Sequence, residues 1–364
     1  MRIRMLVLLV NIVWIGLAST ANAKTCSEAA QNLNVLYFTP GDLTDPFWSM
    51  QVRYMRRVAA SLNIDLDILQ IDDQYDSRFR FIDAIAEQIS ATKKPDIILG
   101  IFYLNGEQAF LEYIENNDLL FFSVNSSLNK SVLDKIGYPR EKFNNWIGHM
   151  SPDDELGGYM LARELTINGK QNPLVLAVAG EHRSLVSLNR TNGLQRAHDD
   201  FEFELLPPIH TDWSRSNATS ATERAFNLFD NIDVIWTVGS YSALGVLDYM
   251  EQRNIPPAEL RIGTFDWATE VLFEIEKGNI DYAFGGHFKE AGWTLMLAYD
   301  YFSGIDFKES IGTYIQTPLQ KVSQQNVSEV LASIDENWHS VDFKKYLKCF
   351  DESSQTYPFI NLSK

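Results

Sequence analysis

Residues able to do chemistry are plentiful in this chain but seldom gathered. The six histidines are scattered, and the two cysteines, Cys26 and Cys349, stand near opposite ends. There is no G-x-x-x-x-G-K-[ST] phosphate loop, no G-x-G-x-x-G turn after a strand, no H-E-x-x-H zinc pair and no C-x-x-C. Gly239-Ser240-Tyr241-Ser242-Ala243 follows an apolar run, yet neither serine has small residues two positions away on both sides, as a nucleophile elbow requires. The acidic pairs Asp72-Asp73, Asp153-Asp154 and Asp199-Asp200 are adjacent in sequence, so in regular structure their carboxylates diverge and read as solvated caps and turns. The sequence predicts a chain that is not an enzyme and needs neither cofactor nor metal.

What remains is a series of loops in which aromatics stand beside polar groups. They are Asp45-Pro46-Phe47-Trp48, Phe102-Tyr103, Val124-Asn125-Ser126, Gly148-His149, Asp212-Trp213, Gly239-Ser240-Tyr241, Thr264-Phe265-Asp266-Trp267 and Gly286-His287. Sugar rings present apolar faces that lie on aromatics and a rim of hydroxyls that calls for Asp, Asn, Arg and His. Loops of this composition suit a polyol.

The elements that position these loops alternate along the chain. Apolar runs predict strands at Val35–Phe38, Leu66–Ile71, Ile97–Phe102, Leu120–Val124, Trp146–His149, Leu174–Ala179, Phe203–Leu206, Val234–Val238, Ile262–Phe265 and Tyr282–Gly285. Between most of them lie amphipathic segments of helical length, the first beginning after Asp45-Pro46 with Phe47, Met50, Tyr54 and Val58 on one face. Such alternation predicts α/β architecture, with parallel sheets covered by helices. In open sheets of that kind ligands bind beyond the carboxyl ends of the strands, where these loops fall. Asp96-Ile97-Ile98-Leu99 and Asp233-Val234-Ile235-Trp236 begin alike and suggest two similar halves.

Arg2 and Arg4, an apolar stretch from Met5 to Ala18 and a closing Ala21-Asn22-Ala23 read as a secretory signal over residues 1–23, cleaved after Ala23, which places the protein in the periplasm. Lys24 stands where a lipoprotein signal wants a small residue. Cleavage removes two arginines and no acid, taking the formal charge of −17 to −19. So acidic a surface repels nucleic acid and anionic lipid. In an oxidising compartment the even pair of cysteines predicts a Cys26–Cys349 disulfide joining the two ends.

The succession Asp45-Pro46-Phe47-Trp48, Ser123-Val124-Asn125-Ser126, Asp154-Glu155-Leu156-Gly157-Gly158, Arg190-Thr191-Asn192-Gly193-Leu194, Ala243-Leu244-Gly245 and Gly263-Thr264-Phe265-Asp266 resembles the ribose/galactose-type (type I) periplasmic solute-binding proteins over roughly residues 33–315. The resemblance implies two doubly wound lobes joined by a three-crossover hinge. Lobe one would comprise 33–148 with 287–314 and lobe two 149–286 with 315–348, leaving 349–364 as a C-terminal tail. It further implies a monomer that holds a sugar or sugar-like ligand between its lobes and presents it to a membrane ABC permease or, alternatively, to a transmembrane sensor. A glycan-cleaving enzyme is the reading from another class, and needs two carboxylates about 5–10 Å apart across one bond.

Carried onto this chain, the pattern gives a ligand set of Asp45, Phe47, Trp48, Tyr103, Asn125, Ser126, His149, Arg190, Trp213, Tyr241, Asp266 and His287. Ser126 stands where many members have arginine, and Gly239-Ser240 where they have Asn-Asp; Tyr241, His149 and His287 are the expected substitutes. The bland alternatives are a helix N-cap for Asp266, a surface pair with Glu181 for Arg190, and close helix packing for Gly157-Gly158.

Overall fold

A computed structural model describes residues 26–40, 43–71, 80–102, 106–167, 169–334, 336–350 and 356–357. The expected signal segment lies outside them, as does Tyr103. The chain begins with α1 (Glu28–Gln31), β1 (Asn34–Pro40), α2 (Pro46–Leu62), β2 (Asp65–Ile71), α3 (Arg80–Ala91), β3 (Ile97–Gly100), α4 (Glu107–Asn116), β4 (Phe121–Val124), α5 (Lys130–Ile136) and β5 (Trp146–Pro152). It continues through α6 (Asp154–Thr166), β6 (Leu174–Ala179), α7 (Leu185–Asp200), β7 (Glu204–Leu205), β8 (Ile209–His210), α8 (Arg215–Leu228), β9 (Val234–Thr237), α9 (Ser240–Arg253), β10 (Arg261–Phe265), α10 (Thr269–Lys277) and β11 (Tyr282–Gly285). The last part holds α11 (Glu290–Phe302), α12 (Lys308–Ile311), β12 (Tyr314–Thr317), β13 (Gln320–Val322) and α13 (Val327–Ser333).

Two sheets result. One runs β12-β5-β4-β3-β1-β2 and is parallel throughout; the other runs β13-β11-β10-β9-β6-β7, with β8 also on β6 and only β13 antiparallel. Their central strands are apolar on both faces, as sheets covered by helices on both sides require. All ten expected strands form. The short β8, β12 and β13 were not foreseen.

The chain passes between the lobes after Pro152, after Gly285 and between Thr317 and Gln320, giving the three-crossover architecture. Two boundaries shift. Residues 149–152 and 315–317, assigned on sequence to lobe two, belong to β5 and β12 and pair with each other in the lobe-one sheet. Residues 336–346 also pack on α2 of lobe one, because Trp338 and Phe343 both bury their rings against Tyr54. Cys26 and Cys349 are bonded, with their Cα atoms 5.0 Å apart, as the sequence predicts.

Helices α6 and α7 cross at backbone contact. A Cβ on Gly158 would sit 1.9 Å from the Arg190 carbonyl oxygen, and one on Gly193 1.9 Å from that of Glu155. Gly158 therefore does serve close helix packing, and the approach sets where Arg190 leaves α7.

The cleft between the lobes

The centre of the cleft is Arg190, a charged side chain only 3% exposed. Its Nε donates to Asp154 Oδ1 at 2.8 Å and its Nη1 to the Val238 carbonyl at 2.7 Å, while the guanidinium stacks 4.2 Å from the Phe265 ring centroid. Glu181, the surface partner considered for it, instead takes Arg183 at 2.7 Å. Asp154 is fully buried, which corrects its reading as a solvated cap. Asp153 does cap α6, accepting from the Leu156 N–H, and the neighbouring Asp154 points the other way, into the protein. Burial pushes the Asp154 carboxyl up, and Arg190 and Ser127 draw it back down.

Asp266 follows β10 in a left-handed conformation, φ 71°. It is not the cap of the helix after it: α10 is preceded by Ala268 and has no side-chain cap. Its Oδ2 accepts from the Ser240 N–H at 3.4 Å, at the start of α9, where Gly239 offers no cap of its own. Its Oδ1 faces Arg190 Nη1 at 4.0 Å and His287 Nε2 at 3.4 Å. Burial raises the Asp266 carboxyl to about 6; Arg190 opposes the rise and Asp45 adds to it.

His287, just after the second crossing, touches side chains of both lobes. Its Nε2 lies 3.4 Å from Arg190 Nη2, and its ring lies against Phe47 of α2 at 4.7 Å between centroids. Burial and the nearby guanidinium hold it neutral, well below the usual histidine range. Its Nδ1 is buried without a partner, as are Asn125 Oδ1 and Ser240 Oγ. Unpartnered buried atoms also occur elsewhere, at Glu107, His198 and Ser303 for example, so these three are set apart only by their place just beyond strands of the two lobes.

Aromatic walls complete the site. Asp45 caps α2 by accepting from the N–H groups of Phe47 and Trp48, which fixes where both rings start, and the two rings meet edge to face at 4.9 Å. Trp213, also left-handed at φ 70°, lies against Gly180 and reaches toward Gly239, whose missing side chain leaves room beside Asp266. Tyr241 closes across the mouth: its hydroxyl donates to the Thr44 carbonyl of the opposite lobe at 3.0 Å.

A profile of the periplasmic binding protein domain matches residues 35–306. The chain belongs to the periplasmic binding protein family. Among solved structures, a periplasmic sugar-binding protein from Pseudomonas fluorescens is 23% identical with a TM-score of 0.79, the match covering 90% of this chain and 97% of that one. An ABC transporter solute-binding protein from Agrobacterium vitis, bound with α-D-tagatopyranose, is 19% identical with a TM-score of 0.71 over 83% of this chain and 98% of that one. One from Bacillus halodurans, with bound myo-inositol, is 16% identical with a TM-score of 0.68 over 83% and 98%. No curated protein matches the sequence. At these identities the likeness establishes the fold, that of the type I periplasmic binding proteins.

Within this binding protein the expected ligand set divides. Phe47, Arg190, Trp213, Asp266 and His287 form one contact chain across the cleft, with Asp45, Trp48 and Tyr241 at its rim. Asn125, left-handed at φ 70°, and Ser126 sit buried just beyond β4. His149 stands apart, inside the lobe-one sheet. Ser123 Oγ accepts from Trp146 Nε1 and lies 2.8 Å from His149 Nδ1; His149 Nε2 lies 2.9 Å from Ser151 Oγ, and Tyr314 stacks on the ring. Sequence reasoning missed Asp154, Ser127 and Asn189. Ser127 of lobe one donates its hydroxyl to Asp154 Oδ2 at 2.9 Å and accepts from Asn189 Nδ2 at 3.0 Å, so a buried latch of hydrogen bonds ties the lobes beside Arg190.

Proposed function

We propose that this protein captures a neutral sugar or polyol between its lobes and presents it to a membrane ABC importer. The carrying observation is the cleft itself: buried, unpartnered Asn125 Oδ1, His287 Nδ1 and Ser240 Oγ at strand ends of both lobes, beside the Asp266 carboxylate and the rings of Phe47 and Trp213. Ligand hydroxyls can satisfy both the acceptors and the donors, while the aromatic faces take the apolar side of a ring. Arg190 gives its Nε and Nη1 to Asp154 and the Val238 carbonyl and has Asp266 at 4.0 Å, so its charge is already faced by two carboxylates, which favours a neutral ligand. Tagatopyranose and myo-inositol in similar structures support the ligand class, and the transporter descriptions of those proteins support the partner.

A non-catalytic role is supported by the family, which is one of binding proteins, and by similar structures described as sugar-binding and solute-binding proteins. A thermal-shift panel of monosaccharides, polyols and their acidic counterparts tests the reading. A neutral member present at 100 times its dissociation constant raises stability by about 2.7 kcal/mol. A response confined to the acidic members overturns the ligand class. Stimulation of a permease's ATPase by the loaded protein tests the importer, against a transmembrane sensor that reads the same closed form.

A further inference from the structure

Beyond the three crossings, the chain passes between the lobes a fourth time. β13 pairs with β11 and α13 lies against α10, so residues 320–333 belong to lobe two. Four positions after Ile334 stands Trp338, whose ring meets Tyr54 of α2 at 5.1 Å and Phe288 at 5.5 Å. From there the arm stays on lobe one. His339 Nε2 lies 2.6 Å from Arg57 Nη2, Phe343 packs edge-on to Tyr54, and its N–H donates to Ser61 Oγ. Asp300 of α11, fully buried, accepts from the N–H groups of Lys348 and Cys349 and from the Tyr357 hydroxyl. Cys349 itself is bonded to Cys26.

We propose that this arm is a strap that limits how far the lobes open, with the disulfide as its buckle. Opening rotates one lobe on the other about the crossings and must move α13 relative to Trp338. The five Cα steps between Ser333 and Trp338 span about 17 Å at full extension, so the movement ends when they are taut. The lobe-one end cannot yield by peeling, because Trp338, Phe343, Leu347, Cys349 and Tyr357 are all buried and the end is covalently closed. Lobes that cannot swing wide rest nearer the closed arrangement, and less of the ligand's binding energy is used in closing them.

The test needs no ligand. Six Gly and Ser residues inserted after Ile334 lengthen the strap while leaving its packing and disulfide intact. Small-angle scattering of the unliganded variant is expected to show a larger radius of gyration and maximum dimension than the parent. The same insertion after Gly304, an open turn within lobe one, is expected to leave the parent's overall shape. A lengthened strap whose scattering superimposes on the parent's, in a protein shown folded by circular dichroism, overturns the proposal. Should that variant not fold, Cys26→Ser with Cys349→Ser decides. Faster hydrogen exchange over residues 343–349 with a wider scattering profile supports the strap, and faster exchange with an unchanged profile overturns it.

Discussion

His149 in the lobe-one sheet and His287 at the cleft are both sealed from solvent, and burial lowers both, His149 to about 3. Around His149 every polar group has its partner. Ser123 takes the Trp146 indole hydrogen, and the His149 ring bridges Ser123 through Nδ1 and Ser151 through Nε2, so both ring nitrogens are engaged. Around His287 the count does not close: Nε2 lies between a donor and an acceptor, and Nδ1 has nothing. The first arrangement is complete without a visitor and the second is not. A buried polar cluster is evidence of binding only where its hydrogen bonds are left over.

That contrast can be broken experimentally. The largest effect is expected from Arg190→Met, which leaves the Asp154 and Asp266 carboxyls without their cation. Stability should fall by about 3–5 kcal/mol in a denaturant titration. A loss under about 1 kcal/mol would mean that Arg190 is not the charge that holds the centre together.

Asp266→Asn should act in the opposite direction on stability. Its folded value of about 6 lies above the ordinary 3.8, so between those values the folded chain holds more protons than the unfolded one, and stability falls as pH rises through that window. Above it the ionised carboxylate costs up to about 3 kcal/mol, which the amide removes. Melting at pH 7 should therefore rise while melting at pH 3.5 changes little, and affinity for the sugar found in the panel should drop more than tenfold. Equal melting of variant and parent at pH 7 would contradict a buried, strained carboxylate.

His149→Ala takes from Ser151 its ring partner and from Ser123 one of its partners, and should cost about 2 kcal/mol of stability with affinity unchanged. His287→Ala should do the reverse, losing about tenfold in affinity, or about 1.4 kcal/mol, with little change in melting. Calorimetric titration of both variants decides, and weakened binding by folded His149→Ala would erase the distinction drawn between the two sites. The smallest effect, about 1 kcal/mol, is expected of Ser127→Ala, which cuts the latch to Asp154 and Asn189. Scattering should register it as a shift toward the open form, and an unchanged profile would make the latch a local contact only.

The fold was legible because apolar runs closed by turn residues mark strands wherever a sheet is buried on both faces. β12 and β13 escaped because each is short and a proline lies between them. The site was legible where a strand end carries its own signal, as at Asp45, Trp213 and Asp266. It was illegible where the partner lies on the other lobe. Adjacency correctly separated Asp153 from Asp154 but could not say that the inward direction held an arginine. Glu181 stood near Arg190 in sequence, yet Arg183 stood nearer and took it.

The crossing of α6 and α7 bears on how such a chain can change over generations. Each helix presents a carbonyl to the other's glycine, so the Arg190 backbone rests where Gly158 has no side chain and the Glu155 backbone where Gly193 has none. Neither glycine is in the expected ligand set, yet a methyl group at either would push the buried Arg190 guanidinium off its mark. Descendants that keep Arg190 in its present role are therefore expected to keep both glycines, and lineages that drift to another ligand chemistry to lose them together.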